Sequence, residues 1–508
     1  MSRVIAGSRA WVSLFGVLLW GVACGDDAGG DDEEIGGAPS RGGRSSGGFT
    51  ASTGGRSSGG APETGGRSSG GRASSSGGTP PGDAGANGEA PGGATGAGGE
   101  IGSSNPRCEP LPPPNGRVVE VTVDRADELP GIVRSAEAGT TILLGDGTYR
   151  FSQQGEAERR LRITSQRVAL RSASGNRDRV VIDGEYVTEE ILTISASNVT
   201  VADLTIRRAV HHPIHVTGGA TGDITGTRLY NLRVVDGGEQ FVKINTSGQT
   251  PNTYADDGLI ECSSFEMTPE GREHVVPEPG GCYTGGIDGH QARGWEIRNN
   301  VFRGIHCENG SLAEHAIHFW TSSRDTLVEQ NLIFDCARGI GFGLGDGGGK
   351  VPDRAYEDDP YPGVGYIGHY GGVIRNNMIV NTSGFEYFDT GIELEQARGT
   401  RVLHNTVMHS ANAFASISYR FDNTEVALAN NLVRSLRERD GAVATTQTNL
   451  ETTDLGLFED VELDDYHLKQ SGTGAIDQGT ELDDAGFDID GEAHDQGPPD
   501  IGADEVTE

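Results

Sequence analysis

Acids, histidines and a tryptophan follow a set of isoleucines at a spacing that would bring their side chains together. Residues 287–294 align with residues 392–399, and each segment reaches an asparagine 13 residues after its isoleucine. Ile317 and Ile417 reach their asparagines after 14 residues, and Ile340 is expected to mark the intervening repeat. We therefore expect the five isoleucines to occupy equivalent inward positions on one sheet.

Successive side chains of a strand face opposite sides, so the residues one and three places after each isoleucine form two outward columns. The first column is Asp288, His318, Gly341, Glu393 and Ser418. The second column is His290, Trp320, Gly343, Glu395 and Arg420. Lys243 is expected to extend the columns towards the N-terminus. Carboxylates and imidazoles in one strip can exchange protons or hold a cation, and the glycines would let a ligand ring approach the backbone.

A strip of charge on a strand can also be no more than a solvated face. Glu395 beside Arg420 would then form a surface ion pair worth under about 1 kcal/mol. Asp288 beside His318 would form a plain hydrogen bond between neighbouring strands. Both interpretations place the strip on the outside of the fold.

Short strands rich in β-branched residues, broken by turn residues, must position these columns. An asparagine followed by two mostly apolar residues recurs at Asn231, Asn300, Asn331, Asn377, Asn405 and Asn431. The intervals after Asn300 are 31, 46, 28 and 26 residues, and a period of this length is typical of a solenoid. The longest interval contains an insertion, residues 346–370. Stacked asparagines can form a hydrogen-bonded ladder inside one turn of each coil.

From about residue 118 onwards, the chain resembles the pectin-lyase-like superfamily of right-handed parallel β-helices. A short helix predicted over residues 127–138 and a strand over residues 141–144 resemble the N-terminal cap of that fold, and residues 488–505 resemble its C-terminal cap. The resemblance implies an all-β solenoid over residues 107–508 with a short N-terminal cap helix. It does not imply one activity, because the fold carries lyases, hydrolases, esterases and adhesins.

The polysaccharide lyases of this superfamily imply three roles for the strip: neutralising a uronate carboxylate, removing the C5 proton and assisting the leaving oxygen. The implied metal ligands are Asp288, Glu393 and Glu395, as oxygen donors to Ca²⁺. The implied catalytic residues are His318, Glu393, Glu395, Asp288, His290 and Arg420. The implied substrate-binding residues are Trp320, Gly341, Gly343 and Lys243, and Lys243 is a further candidate for the base.

We therefore predict a carbohydrate-active protein with a polysaccharide partner, first of all a Ca²⁺-assisted polyuronide lyase. The paired lysine and arginine of alginate and chondroitin lyases with this fold are not found at the matching strand. A glycoside hydrolase is one alternative, since Glu393 and Glu395 could lie at the ~6.5–9.5 Å separation of inverting carboxylates. A non-catalytic carbohydrate-binding or adhesion module is another, and a flat strip would favour it.

The composition and the N-terminus predict an exported protein. The formal net charge of −34 disfavours nucleic acid as a partner. Residues 1–24 resemble a bacterial lipoprotein signal, with Arg3 and Arg9 ahead of an apolar run and small residues before Cys24, the expected lipidation site. Residues 25–106 form a Gly/Ser-rich tether that we expect to be disordered. We predict a monomeric outer-membrane lipoprotein, at the cell surface or in the periplasm, that meets the membrane through its lipid anchor only.

The other five cysteines predict two disulfides in an oxidising compartment. An odd number remains once Cys24 carries lipid, so one thiol must stay unpaired. We expect Cys262 to pair with Cys282 and Cys307 with Cys336, which leaves Cys108 free.

Overall fold

A computed structural model describes residues 108–276, 282–345, 354–409, 412–494 and 497–506. The predicted export signal over residues 1–24 and the tether over residues 25–106 lie outside the described residues. The described chain belongs to one compact unit, and none of its helices is long and apolar enough to cross a membrane.

Three parallel sheets form the faces of a coil that passes through each of them in turn. Most turns of the coil contribute one short strand to every sheet, so the strand order within a sheet follows the chain at regular steps. The predicted right-handed parallel β-helix with a short N-terminal cap helix is confirmed. We call the 10-stranded sheet the site sheet, because it carries the two outward columns.

The described strands are distributed over the three sheets as follows. The site sheet contains Leu161–Ile163, Leu192–Ile194, Ile214–Thr217, Gln240–Asn245, Gly285–His290, His315–Trp320, Arg338–Phe342, Thr390–Glu395, Ala415–Arg420 and Leu436–Arg439. The 11-stranded sheet contains Gly147–Arg150, Val180–Asp183, Thr205–Ala209, Arg233–Gly237, Ser264–Glu266, Val301–Arg303, Leu332–Phe334, Met378–Val380, Thr406–Met408, Leu432–Val433 and Leu450–Glu451. The 14-stranded sheet contains Arg117–Val121, Thr140–Leu144, Ala169–Ser172, Thr200–Ala202, Arg228–Tyr230, Leu259–Glu261, Glu296–Arg298, Ser323–Arg324, Leu327–Glu329, His369–Tyr370, Val373–Arg375, Ala397–Leu403, Glu425–Ala429 and Val443–Gln447.

Short elements lie outside these sheets. Ile224–Thr225 pairs with Ala255–Asp256 in parallel, and Phe458–Asp460 pairs with Asp465–Leu468 in antiparallel orientation. The α-helices are Leu129–Arg134, Glu156–Arg159 and Pro269–Arg272. The 3-10 helices are Val123–Glu128, Leu455–Leu457 and Val461–Leu463.

The N-terminal cap is built from two short helices, where the sequence predicts one helix over residues 127–138. A 3-10 helix, Val123–Glu128, is followed directly by the α-helix Leu129–Arg134. Pro130 suits the first turn of that helix, because its backbone nitrogen needs no hydrogen-bond partner there. Leu129 and Val133 are buried in the main core, so the helix covers the first rungs of the coil.

One continuous apolar core fills the interior of the coil. The five aligned isoleucines are fully buried and lie side by side in register, in the order Ile287, Ile317, Ile340, Ile392 and Ile417. Burial of one such side chain stabilises the fold by roughly 1.5–3 kcal/mol. A slip of one residue would turn the whole column outward, so burial fixes the register of the site sheet.

Asparagines stack as a ladder at the bend between the 14-stranded and 11-stranded sheets. Side-chain amides donate to the next side-chain oxygen at 2.8–3.0 Å through Asn300, Asn331, Asn377, Asn405, Asn431 and Asn449. The ladder is confirmed at its predicted positions from Asn300 onwards, and Asn449 extends it by one rung.

Asn231 does not belong to the ladder, which corrects the prediction. Its φ of 48° places it in the left-handed conformation found one residue before each ladder position, as at Gln330. Its side chain donates to Asp203 Oδ1 at 2.8 Å, whereas Ser263 in the next rung accepts from the backbone of Leu232. Asparagine suits the ladder position because of its side-chain amide, and it suits the preceding position because it tolerates a positive φ. The sequence motif therefore does not distinguish the two positions.

The predicted disulfide pairing is wrong. Cys108 bonds to Cys262 and Cys282 bonds to Cys307, which leaves Cys336 as a buried free thiol. Cys108 reaches Cys262 because the segment before the first strand lies along the outer face of the 14-stranded sheet. Cys336 belongs to the main core, where it has no cysteine to meet. Spacing along the chain could not reveal a contact made across 154 residues.

Residues 488–494 and 497–505 cover a flank of the coil instead of its end, which corrects the expected C-terminal cap. The buried Asp488 Oδ1 accepts from the backbone of Gly491, and the Ala503 N–H donates to Thr406 of the 11-stranded sheet. Apolar residues of this segment pack on outward side chains of the same sheet. At the last described rung of the coil, by contrast, Val443 is 58% exposed.

Candidate functional site

The site sheet places the two predicted columns in the register that the sequence indicates. The first column runs through Lys243, Asp288, His318, Gly341, Glu393 and Ser418. The second brings His290 beside Trp320, and Glu395 beside Arg420. The extension of the first column through Lys243 is confirmed.

Asp288, His318, Glu393 and Glu395 face away from the core, but they are not solvated. The exposed fractions are 4% for Asp288, 1% for His318, 8% for Glu393 and 4% for Glu395. A solvated face is therefore wrong for these four residues. Buried charges are costly unless they are paired, so each must find its partners within the protein.

A third outward column, which contains His315 and Arg338, was missed by sequence reasoning. The strands bend just before the inward isoleucine, so Ala316 and Ile317 are both fully buried on the core side. The alternation shifts by one residue at this bend, and His315 faces outward, in register with Arg338. A signal was present: the residue before each isoleucine is small, at Gly286, Ala316, Gly339, Gly391 and Ser416.

Lys243, Asp288 and His290 form a compact triangle. Lys243 Nζ lies 2.6 Å from Asp288 Oδ2 and 3.0 Å from His290 Nε2, which itself lies 3.0 Å from Asp288 Oδ2. Trp320 Nε1 donates to Asp288 Oδ1 at 2.8 Å, so both carboxylate oxygens have partners. The His290 side chain is 22% exposed and Trp320 is half-buried, so the triangle reaches solvent at this edge.

Burial and charge together fix the protonation of the triangle. Burial opposes the charge on Asp288, but Lys243 holds the pKa of that carboxyl well below its usual value. Burial also opposes the charge on Lys243, yet Asp288 raises the pKa of the lysine. For His290 burial prevails over the attraction of Asp288, and its pKa is lowered. At neutral pH, His290 is therefore an uncharged imidazole between two ions and can accept a proton.

Tyr283 adds a proton donor at the same edge, and sequence reasoning missed it. Burial raises the pKa of its hydroxyl, and the charges of Lys243 and Asp288 act on it with opposite signs. The side chain is half-buried and stays protonated at neutral pH. Tyr283 follows the disulfide-bonded Cys282 and precedes the strand Gly285–His290. Because it lies outside the strand, an alignment of the strand residues could not identify it.

Glu314, His315 and His318 form a second group, farther along the strip. His318 Nδ1 lies 3.6 Å from Glu314 Oε2, and His315 Nδ1 lies 4.0 Å from the same oxygen. The two imidazole centroids are 4.5 Å apart. One ligand atom from each residue lies within 4.8 Å of the others, so this group could hold a metal ion.

Arginines neutralise the two glutamates of the strip. Arg439 Nη2 lies 3.1 Å from Glu393 Oε1 and 3.3 Å from Glu395 Oε1, and Arg338 Nη1 lies 3.7 Å from Glu393 Oε2. Burial opposes the ionisation of Glu393, but His315 and the arginines lower its pKa. Burial and the charge of Glu393 raise the pKa of Glu395. One guanidinium thus bridges the two carboxylates.

Gly341 and Gly343 do not provide an open floor for a ligand, which corrects that prediction. A Cβ at Gly341 would lie 2.8 Å from ring atoms of His315, so the imidazole already occupies the space. A Cβ at Gly343 would lie 1.8 Å from the carbonyl oxygen of Glu395, and the φ of +74° also favours glycine. Both glycines serve packing within the protein.

The three predicted calcium ligands do not converge on one point. Asp288 bonds to Lys243, whereas Glu393 and Glu395 share Arg439. Among the described residues, the donor groups close enough to share an ion are Glu314, His315 and His318, and His467, Asp490 and Asp504. Histidine nitrogens suit transition metals, whereas Ca²⁺ takes oxygen ligands.

The remaining predicted elements lie beside the strip. Arg420 bonds to Asp440 and lies 3.7 Å from Glu395. In the described part of the insertion, Arg354 bonds to Asp256, and Asp358 pairs with Arg324. These charges of the insertion therefore anchor it beside the 14-stranded sheet.

No family model matches the chain, and no curated protein matches it. Solved structures with a similar fold include an alginate lyase from Paenibacillus sp. str. FPU-7, at 15% identity and a TM-score of 0.44, over 66% of this chain and 99% of that one. The pectate lyase Pel9A is 12% identical with a TM-score of 0.43, over 77% of this chain and 97% of that one. The tailspike protein of E. coli bacteriophage HK620, solved with a pentasaccharide, is 11% identical with a TM-score of 0.41, over 62% of this chain and 54% of that one. At these values the likeness carries no argument about activity, and the chemistry must be argued from the site itself.

Proposed function

We propose that this chain is an exported polysaccharide lyase that cleaves uronate-containing chains by β-elimination at the triangle of Lys243, Asp288 and His290. The observation that carries the proposal is that Lys243 Nζ, Asp288 Oδ2 and His290 Nε2 lie within 3.0 Å of one another, at the edge where the strip reaches solvent. A cation and a neutral base stand side by side there. Removal of a proton next to a carboxylate needs both.

In the proposed reaction, Lys243 turns from His290 to the uronate carboxylate and neutralises it, which makes the C5 proton more acidic. His290 Nε2, which no longer accepts from Lys243, takes that proton. The C5–H electron pair forms the C4=C5 double bond, and the C4–O bond breaks. Tyr283 donates its proton to the leaving oxygen. Trp320, fixed by Asp288, offers a face on which a sugar ring can stack.

We propose that other predicted catalytic residues help to hold this edge of the strip in position. Glu393 and Glu395 share Arg439, and His318 Nε2 lies 3.1 Å from the carbonyl oxygen of Gly343, so we assign these three residues to positioning and not to contact with substrate. Lys243 already supplies positive charge beside the base. Calcium is therefore not assigned a role in the reaction, and its requirement is tested separately.

We further propose that the protein is a monomeric lipoprotein of the outer membrane, at the cell surface or in the periplasm, anchored through Cys24. The tether of residues 25–106, as a flexible coil, would span roughly 50 Å on average. That reach would let the folded unit meet a polysaccharide away from the membrane.

The test is a screen of polyuronides for the ultraviolet absorbance of an unsaturated uronate product. We expect turnover by the parent and a loss of about 100-fold or more in kcat/KM for His290→Ala and Lys243→Met. The control is His467→Ala, because His467 lies on the strand Asp465–Leu468, away from the site sheet. New reducing ends without new absorbance would establish a hydrolase instead, and binding without turnover would establish an adhesion module.

A second experiment with a chelator distinguishes whether Lys243 or a calcium ion neutralises the uronate. Turnover that survives EDTA would support Lys243 as the group that neutralises the uronate. Turnover that EDTA abolishes and Ca²⁺ restores would transfer that role to calcium.

A further inference from the structure

Two buried histidines have contacts that the proposed reaction does not explain. His315 and His318 are each 1% exposed. Neither ring nitrogen of His315 makes a well-aligned hydrogen bond with the described residues, although a buried polar group without one is costly. His318 Nδ1 faces Glu314 Oε2 at 3.6 Å and Asp288 Oδ1 at 3.9 Å, both beyond hydrogen-bonding distance.

Each of these imidazoles has an acceptor behind its Nε2. His318 Nε2 lies 3.1 Å from the carbonyl oxygen of Gly343, and His315 Nε2 lies 3.3 Å from Glu393 Oε2. A proton on each Nε2 would serve these acceptors and leave each Nδ1 with an unshared electron pair. Histidines that ligate metals are oriented by an acceptor in this way.

The two Nδ1 atoms face one carboxylate oxygen. They lie 3.6 and 4.0 Å from Glu314 Oε2, and the three ligand atoms are within 4.8 Å of one another. Two tetrahedral ligands at ~2.0–2.1 Å from Zn²⁺ are about 3.4 Å apart, so each Nδ1 already lies within roughly 0.2–0.6 Å of that spacing from Glu314 Oε2. The other oxygen, Glu314 Oε1, faces Arg338 Nη2 at 3.6 Å, which orients the carboxylate with Oε2 towards the imidazoles.

We propose that Glu314 Oε2, His315 Nδ1 and His318 Nδ1 bind one divalent transition-metal ion of the Zn²⁺ class. Two nitrogen donors and one oxygen favour this class over Ca²⁺. Three protein ligands leave a coordination position for water or a ligand group. The Glu314 side chain is 24% exposed and gives the ion a route from solvent. The site goes beyond the proposed elimination, in which none of these three residues reacts with the substrate.

The experiment is a titration of the full chain with Co²⁺, followed by the visible absorption of tetrahedral Co²⁺ and by equilibrium dialysis with Zn²⁺. We expect the parent to bind one equivalent in a site with histidine ligands. Affinity should fall by about 10- to 100-fold or more in Glu314→Gln, His315→Ala and His318→Ala. The control His467→Ala disables the other donor group, which contains Asp490 and Asp504, and should leave the Co²⁺ spectrum unchanged.

Glu314→Gln decides the outcome if the buried histidine variants fail to fold, because it preserves shape at a partly exposed position. Unchanged binding in Glu314→Gln, loss of the spectrum only in His467→Ala, or no binding by the parent would each overturn the proposal. His290→Ala should keep the metal and lose turnover, so a failure of the lyase proposal and a failure of the metal site give different results.

Discussion

At the scale of single residues, Asp288 organises the candidate site. Its two oxygens contact Lys243, His290 and Trp320, and no other acid in the strip contacts all three. The carboxylate keeps the lysine charged, holds the indole ring in place and lies 3.0 Å from His290 Nε2.

Asp288→Asn should destabilise the fold by about 3–5 kcal/mol, because it leaves the charge of Lys243 buried without its counter-ion. Chemical denaturation of the parent and the variant would measure the loss. In a Lys243→Met background the same substitution should cost much less. Equal costs in the two backgrounds would show that the ion pair is not the cause.

Turnover should be lost at acidic pH, because His290 becomes protonated there. The neutral imidazole is the proposed base, and burial lowers its pKa from the ordinary value of 6.5. The neutral form therefore persists to lower pH than in a solvated histidine, and kcat/KM should fall on the acid side with a midpoint below pH 6.5. A pH–rate profile measures this, and a midpoint above that value would argue for a different base.

At the scale of elements, the asparagine ladder and the bend of the site sheet decide where side chains point. The ladder repeats the same bonds in successive rungs, each amide also donating to a backbone carbonyl, as Asn377 does to Val328. The bend turns two successive residues to the core, so the side chains of the third column face outward. Both features are set by the coil, and both recur once per turn.

Asn377→Ala should destabilise the fold by about 2–4 kcal/mol, since it removes one member of a buried row and leaves its neighbours' polar groups unpaired. Asn231→Gly is the matched control, because Asn231 lies off the ladder, makes one side-chain bond, to Asp203, and has a φ of 48° that glycine adopts without strain. It should cost about 1 kcal/mol. Melting temperatures of the two variants would compare them, and equal shifts would argue against a special role for the ladder.

At the scale of the whole molecule, stability should fall in acid. Burial opposes the charge of Glu314, but Arg338 and the histidines lower its pKa to about 2 from 4.5. Burial and Arg338 lower the pKa of His315 to about 4 from 6.5. Both pKa values are depressed by folding, so the unfolded chain binds more protons, and stability is lost as pH falls from about 6.5 to about 2. Denaturation at a series of pH values should show a weaker loss in Glu314→Gln than in the parent.

Anchoring should depend on one cysteine near the N-terminus. If Cys24 carries lipid, Cys24→Ser should release the folded protein from membranes without changing its melting temperature. Fractionation with detergent would measure the release, and Cys336→Ser gives a comparison at the buried free thiol. A Cys24→Ser protein that stays with the membrane would contradict the proposed anchor.

The amino-acid sequence by itself determined the coil and the register of the site sheet. The isoleucine column and the asparagine row repeat once per rung, and each is fixed by burial, so their spacing along the chain maps directly onto stacked positions. This is why the sequence already places Asp288 beside His318 and Glu395 beside Arg420.

Only the tertiary structure determined which side chains surround the two columns of the site sheet. Glu314, Tyr283 and the Cys108–Cys262 bond depend on segments that leave the rungs, and the strip is covered by the side chains of Trp320 and Arg439. The bend before each isoleucine shifts the alternation, which hides His315 from a period-two pattern. Local spacing specifies repeated contacts between neighbouring rungs, whereas contacts made once, between distant segments, exist only when the coil has brought those segments together.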